Sequence, residues 1–127
     1  MLFRSKFPTW ARGFVLALVA GVLGAGLAFG HSGLQRAEPP VESKLKRPPS
    51  EVKLYFTERL EPAYSTVRVK DDHGAQVDRQ DSHVDPSNPF LLRATLQPLE
   101  HGAYSVNWRV LSVDGKVTEG RFTFRVE

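Results

Sequence analysis

The side chains best suited to chemistry in this sequence are four histidines, His31, His73, His83 and His101, and the aspartate Asp114. Imidazole is the commonest protein ligand for transition metals, and a carboxylate can complete such a site. The alternatives are narrow. Cysteine is absent and the only methionine is Met1. That excludes a disulfide framework, a thiolate-held zinc or iron–sulfur centre, a cysteine nucleophile and a thioether site for copper(I) in the body of the chain. No P-loop, GxGxxG, HExxH or GxSxG motif occurs, and the acidic residues are scattered with no evident acid–base pair. No enzyme is expected.

His31 stands apart because of what precedes it. A basic stretch carrying Arg4, Lys6 and Arg12 is followed by the apolar run Phe14 to Phe29, and Ala28 and Gly30 form a small-x-small ending. This is the pattern of a secretory signal peptide over residues 1–30, leaving a mature domain of residues 31–127. The alternative is an uncleaved anchor over residues 14–29, since the 18 uncharged residues from Gly13 to Gly30 sit near the lower limit for a membrane span. The domain is expected in the periplasm in the first case and on the outer face of the cytoplasmic membrane in the second. Cleavage after Gly30 makes His31 the N-terminal residue. Its α-amine, with an ordinary pKa of about 7.7–8.0, and its imidazole Nδ1 can then close a chelate ring on one metal ion.

The other candidates have ordinary readings beside the metal one. His73 lies in Asp71-Asp72-His73-Gly74 and His101 in Glu100-His101-Gly102, both turn contexts. His83 lies in the polar stretch Asp78 to Asn88, where Asp81, His83 and Asp85 are either polar decoration or a weak ion site. Asp114 sits in SVDGK, a tight turn in which an aspartate serves equally as a backbone acceptor or as a ligand.

The elements that must position these groups read as strands. Pro39-Pro40, Pro48-Pro49, Pro62, Gly74, Pro86, Pro89, Pro98, Gly102, Gly115 and Gly120 cut the chain into short pieces, none of which sustains a helical period. Several alternate with period two: Val52, Leu54 and Phe56; Val67 and Val69; Tyr104, Val106, Trp108 and Val110; Phe122, Phe124 and Val126. With Leu92, Ala94 and Leu96, and a first strand within Ser32–Glu38, this predicts an all-β sandwich of six or seven strands, with Trp108 filling the core. Residues Asp78 to Asn88 are expected to form a long loop. Residues 31–127 contain fourteen basic and fourteen acidic side chains, so the excess charge belongs to the leader and no nucleic-acid partner is expected.

The start HSGLQRAEPP, the stretch LKRPPSEVKLYFTERLEPAYSTVRVKD and the segment LEHGAYSVNWRVLSVDGKVTEGRFTFRV together resemble the periplasmic copper-resistance CopC family over the whole mature chain. The resemblance implies an immunoglobulin-like Greek-key β-sandwich or barrel of about seven strands. It also implies a role in carrying or buffering copper beside a membrane copper transporter. The family's copper(II) site uses the amine and imidazole of the first histidine with an aspartate and a histidine written Asp-Gly-His. His31 and Asp114 match that set, but Lys116 stands where the second histidine belongs.

The expected cargo is therefore Cu(2+), held by an N-terminal chelate weakened at Lys116. Lys116 is expected to point away or to pair with Asp114 in the empty site, and His83 or His73 could substitute from another loop. The competing expectation is a metal-free sandwich that acts as an interaction partner of a membrane copper-transport protein. A third, an oxygen-activating copper enzyme, lacks the second imidazole.

Overall fold

A computed structural model of the protein describes residues 33–127; the leader and His31 lie outside the described residues. Period-two alternation becomes two facing sheets. The first runs β1 (Leu34–Glu38), β3 (Glu51–Phe56), β6 (Leu91–Thr95) and β5 (His83–Val84) in that spatial order. The second runs β2 (Lys44–Leu45), β8 (Val117–Val126), β7 (Gly102–Leu111) and β4 (Thr66–Asp71). Neighbours are antiparallel except β2, which lies parallel to the end of β8. A single 3-10 turn, Pro62–Tyr64, is the one helical element among the described residues.

The alternating residues meet between the sheets as expected. Val52, Leu54 and Phe56 face Val67, Val69, Val106, Trp108, Phe122 and Phe124, all buried. Trp108 is the centre of an aromatic set, with Phe56 edge-on at 6.1 Å and Phe122 at 6.2 Å between ring centroids. Across the β7–β8 ladder its partner is Gly120. A β-carbon there would lie 2.0 Å from the indole ring, so the glycine is the seat of the tryptophan. The buried indole N–H has no hydrogen-bond partner among the described residues.

Two short strands add to the six or seven expected. The described residues form eight, because β2 and β5, two residues each, join the sheets. β5 lies inside the stretch expected to be a loop, and that stretch is tightly bonded. Val67 N–H donates to Ser82 Oγ at 2.8 Å and Val69 N–H to Asp78 Oδ1 at 2.8 Å, which caps the open edge of β4. The buried Asp78 also accepts from Gln76 Nε2 at 3.0 Å and from the Gln80 amide at 3.1 Å. Asp81 accepts from the Thr95 amide and hydroxyl, and Asp85 from Ser87 and from Arg93 Nη1 at 2.6 Å.

These bonds have a pH signature. The Ser87 hydroxyl and amide, then Arg93, pull the Asp85 carboxyl down from 3.8 to about 2. Asp81 is lowered in the same direction, chiefly by the Thr95 hydroxyl. A depressed folded-state pKa gives stability that is complete above the unfolded value and is lost as the carboxyl protonates. Asp85 thus supports the fold above about pH 4, and its share disappears as the pH falls towards 2. Asp85→Asn is expected to lower the melting temperature at pH 7 and to flatten its decline between pH 5 and 2.5, measured by circular dichroism. Gly120→Ala is expected to destabilise the domain by about 1–3 kcal/mol through overpacking against Trp108. Adding Trp108→Phe should recover part of that loss in denaturant unfolding.

Candidate metal centre

The β7–β8 hairpin ends in the turn from Ser112 to Lys116. Gly115 has φ +94°, the left-handed region that glycine enters without strain, and its amide donates to the Ser112 carbonyl at 2.9 Å. The Ser112 amide donates to the Lys116 carbonyl at 2.9 Å. The buried Ser112 hydroxyl accepts from the Lys116 amide at 3.2 Å and donates to Asp114 Oδ1. Asp114 is therefore aimed by its own turn.

Two further pieces of chain arrive at this end of the sandwich. Segment 57–61, following β3, is stitched to the turn: the Glu61 amide donates to the Leu111 carbonyl at 2.8 Å and the Val113 amide to the Arg59 carbonyl at 2.9 Å. The start of the described chain follows, since the Thr57 amide donates to the Gly33 carbonyl at 2.7 Å. Gly33, Phe56, Glu58, Ser112, Lys116 and Thr118 line one recess of about 110 Å³.

Glu58 is the residue that sequence reasoning missed. It lines the same recess as Ser112 and Lys116, and its Oε1 is 3.7 Å from the Lys116 ammonium. The Asp114 carboxyl is held below the ordinary aspartate range, first by the Ser112 hydroxyl, then by Glu58, and further by the charge and backbone of Lys116. Lys116, largely exposed, thus stands beside Glu58 while its charge also acts on Asp114. The only signal for Glu58 in the sequence is its place two residues after β3.

The remaining histidines are not gathered here. His73 follows β4, whose Asp71 pairs with Tyr104 near the start of β7. Asp114 lies beyond Leu111 at the other end of that strand, about 23 Å away at roughly 3.3 Å per residue. His73 instead stands with Asp71 and Asp72, its Nδ1 3.0 Å from Asp72, while Asp71 Oδ1 closes the turn through the His73 and Ala75 amides. His101, exposed before Gly102, is at that same end. His83 is on the outer face of the first sheet opposite Arg93, its Nδ1 2.8 Å from the Asp81 carbonyl oxygen. The structure does not bring His73 or His83 together with Asp114. His31, the other half of the expected chelate, lies outside the described residues.

What these observations define is a small two-sheet sandwich with oxygen donors and one ammonium collected where its N-terminal strand meets a hairpin turn. The chain belongs to the CopC family: the CopC domain model matches residues 34–127. Among solved structures it is similar to CopC from Methylosinus trichosporium OB3b. The two are 34% identical with a TM-score of 0.67, over 76% of this chain and 94% of that one. It is also similar to PcoC, a methionine-rich copper resistance protein from Escherichia coli, at 27% identity and a TM-score of 0.64 over 76% and 99% of the two chains. The copper transport protein CutJ of Bacillus subtilis is 24% identical over 91% of this chain, which spans only 21% of that protein.

The hold of Ser112 on Asp114 is directly measurable. Ser112→Ala removes the hydroxyl that chiefly lowers the carboxyl, so the Asp114 pKa is expected to rise towards the ordinary value in a carbon-detected NMR titration.

Proposed function

We propose that this protein is a periplasmic copper(II)-binding protein that carries or buffers copper as cargo. Residues 1–30 serve as its signal peptide and residues 31–127 are the copper-binding domain. The observation that carries this reading is the convergence of Gly33, Glu58, Ser112 and Lys116 around one recess, the last two flanking Asp114 in its turn.

The donors would be the His31 α-amine, its imidazole and the Asp114 carboxylate. Copper(II) favours nitrogen and oxygen donors in a tetragonal field, so three protein donors leave a place for water. Ser112 keeps Asp114 ionised and aimed. Lys116, in place of an imidazole, supplies no donor while protonated and adds a repelling charge. Binding is therefore weaker than in a site with the second histidine. The membrane copper transporter implied by the family resemblance is the natural recipient; CutJ, a copper transport protein, contains a comparable stretch within a much longer chain.

A second reading is favoured by the same lysine. With Lys116 beside Glu58, the site already carries a compensating charge, as expected of a metal-free sandwich that serves as an interaction partner of a membrane transport protein.

One experiment separates the two. The protein is recovered from the exported fraction, titrated with copper(II) and followed by electron paramagnetic resonance, beside a form with one extra residue before His31. A one-to-one signal with nitrogen couplings, abolished by the extra residue, is the expected result. Identical behaviour of the two forms would favour the metal-free reading. Because the amine must lose its proton to bind, affinity is expected to fall from pH 8 to pH 5. Asp114→Ala should weaken binding, and Lys116→His should strengthen it about tenfold by restoring a nitrogen donor.

A further inference from the structure

We infer that the outer face of the second sheet docks on the anionic phospholipid headgroups of a bilayer surface. The inference is independent of copper and stands whether or not the Asp114 turn holds a metal ion. Residues 31–127 carry fourteen basic and fourteen acidic side chains, yet the fold does not spread them evenly. The register of β2, β8, β7 and β4 turns six cations outward on one face: Lys44, Arg68, Lys70, Arg109, Arg121 and Arg125, all exposed. Arg121 and Arg68 flank Asn107 in one cross-strand row, and Lys44 is the partner of Arg125 in another. Glu119 is the one acid in these rows, and it pairs with Arg109.

The first sheet shows what a neutralised face looks like. There Arg36 pairs with Glu38, Lys53 with Glu51, and Arg93 with Glu51 and Asp85. On the second sheet Lys44, Arg68, Lys70, Arg121 and Arg125 have no ion pair among the described residues. Five such cations on one face make a local positive field that the zero net charge of the domain conceals. The acids nearest to them stand at the margin: Asp71 and Asp72 where β4 ends, and Glu127 after β8.

The chemistry of the face selects its occupant. A protein partner is held chiefly by apolar or aromatic anchors in a desolvated centre. Between the Ala103–Arg125 and Arg109–Glu119 pairs, Ala103 is the one apolar side chain turned outward. A bilayer asks for no such centre. It offers a broad layer of phosphates, and each lysine or arginine brought near it adds to the attraction. Four strands and four rows cover roughly 15 by 20 Å, at about 4.8 Å between strands and 3.4 Å per residue. Between Lys70 and Arg121, Ser105, Asn107 and Thr123 line a shallow hollow and supply neutral donors for phosphate oxygens. Docked in this way, the β7–β8 hairpin lies along the bilayer with its Asp114 turn at the edge of the contact.

The test sediments the protein, recovered from the exported fraction as above and kept free of metal, with vesicles at about 0.1 M salt. One set is equimolar phosphatidylglycerol and phosphatidylcholine; the other is phosphatidylcholine alone. Binding is expected to the anionic set only, and to be lost at about 1 M salt, where screening acts within about 3 Å. Arg68→Gln combined with Arg121→Gln should weaken it about 25-fold, at roughly fivefold per cation. Arg36→Gln combined with Lys53→Gln removes the same charge from the opposite sheet, about 10 Å further away. That variant should change binding by less than about threefold, since its cations lie beyond a Debye length from the lipid. Melting curves by circular dichroism show that both variants are folded. No binding to the anionic vesicles, equal binding to the two sets, or equal losses in the two variants overturns the inference. Binding to poly-glutamate but not to vesicles, weakened by Arg68→Gln with Arg121→Gln, also overturns it and makes the face a dock for an acidic protein.

Discussion

Ten consecutive cross-strand pairs, from Gly102 opposite Val126 to Leu111 opposite Val117, tie the core of this domain to its candidate site. One face of this β7–β8 ladder supplies Tyr104, Val106, Trp108, Val110, Phe122, Phe124 and Val126 to the interior. Its tip is the turn that presents Asp114. The register is not free to slip, because one step would turn every buried side chain to solvent and lift Trp108 off Gly120. The same register decides where the turn falls, so packing deep in the sandwich fixes the position of an exposed carboxylate.

The site end is assembled from segments far apart in sequence. The ladder brings the turn, β3 brings Glu58, and the β1–β3 pairing brings the start of the described chain beside Thr57. None of these contacts is strong alone. Their common feature is backbone hydrogen bonding between segments 57–61 and 111–113, which holds the segment carrying Glu58 beside the turn. Charge then follows geometry: Lys116, two residues after Asp114, stands 3.7 Å from Glu58 and its charge contributes to lowering the Asp114 pKa.

The long strands were legible in the sequence because burial of one sheet face imposes period two, and β3, β4, β7 and β8 all carry it. β2 and β5 were not, since two residues cannot display a period and both exist only because a neighbouring strand offers an edge. The polar stretch 78–88 reads as a loop by composition. Asp78 and Ser82 nevertheless act there as side-chain substitutes for a paired strand, a role composition does not encode. The Asp114 turn was legible from Asp-Gly between two alternating runs. Glu58 was not, because its proximity to Asp114 depends on two sheets closing over one another. The separation of His73 from Asp114 was implicit in β4 and β7 running antiparallel, but only the observed register turns it into a distance.

Lys116 shows why such a site can change without the fold changing. The turn is held by Ser112, whose hydroxyl meets the Lys116 amide, and by the conformation of Gly115. Neither contact uses the side chain at position 116, which projects into solvent. The identity of that side chain is therefore uncoupled from the stability of the hairpin, and a histidine or a lysine there would leave the core the same. What differs is the charge facing Glu58 and Asp114. A histidine adds a donor to an oxygen-rich pair, whereas a lysine adds a resident cation to it. The sandwich supplies a fixed frame, and one exposed residue at the end of one turn sets the charge beside Glu58.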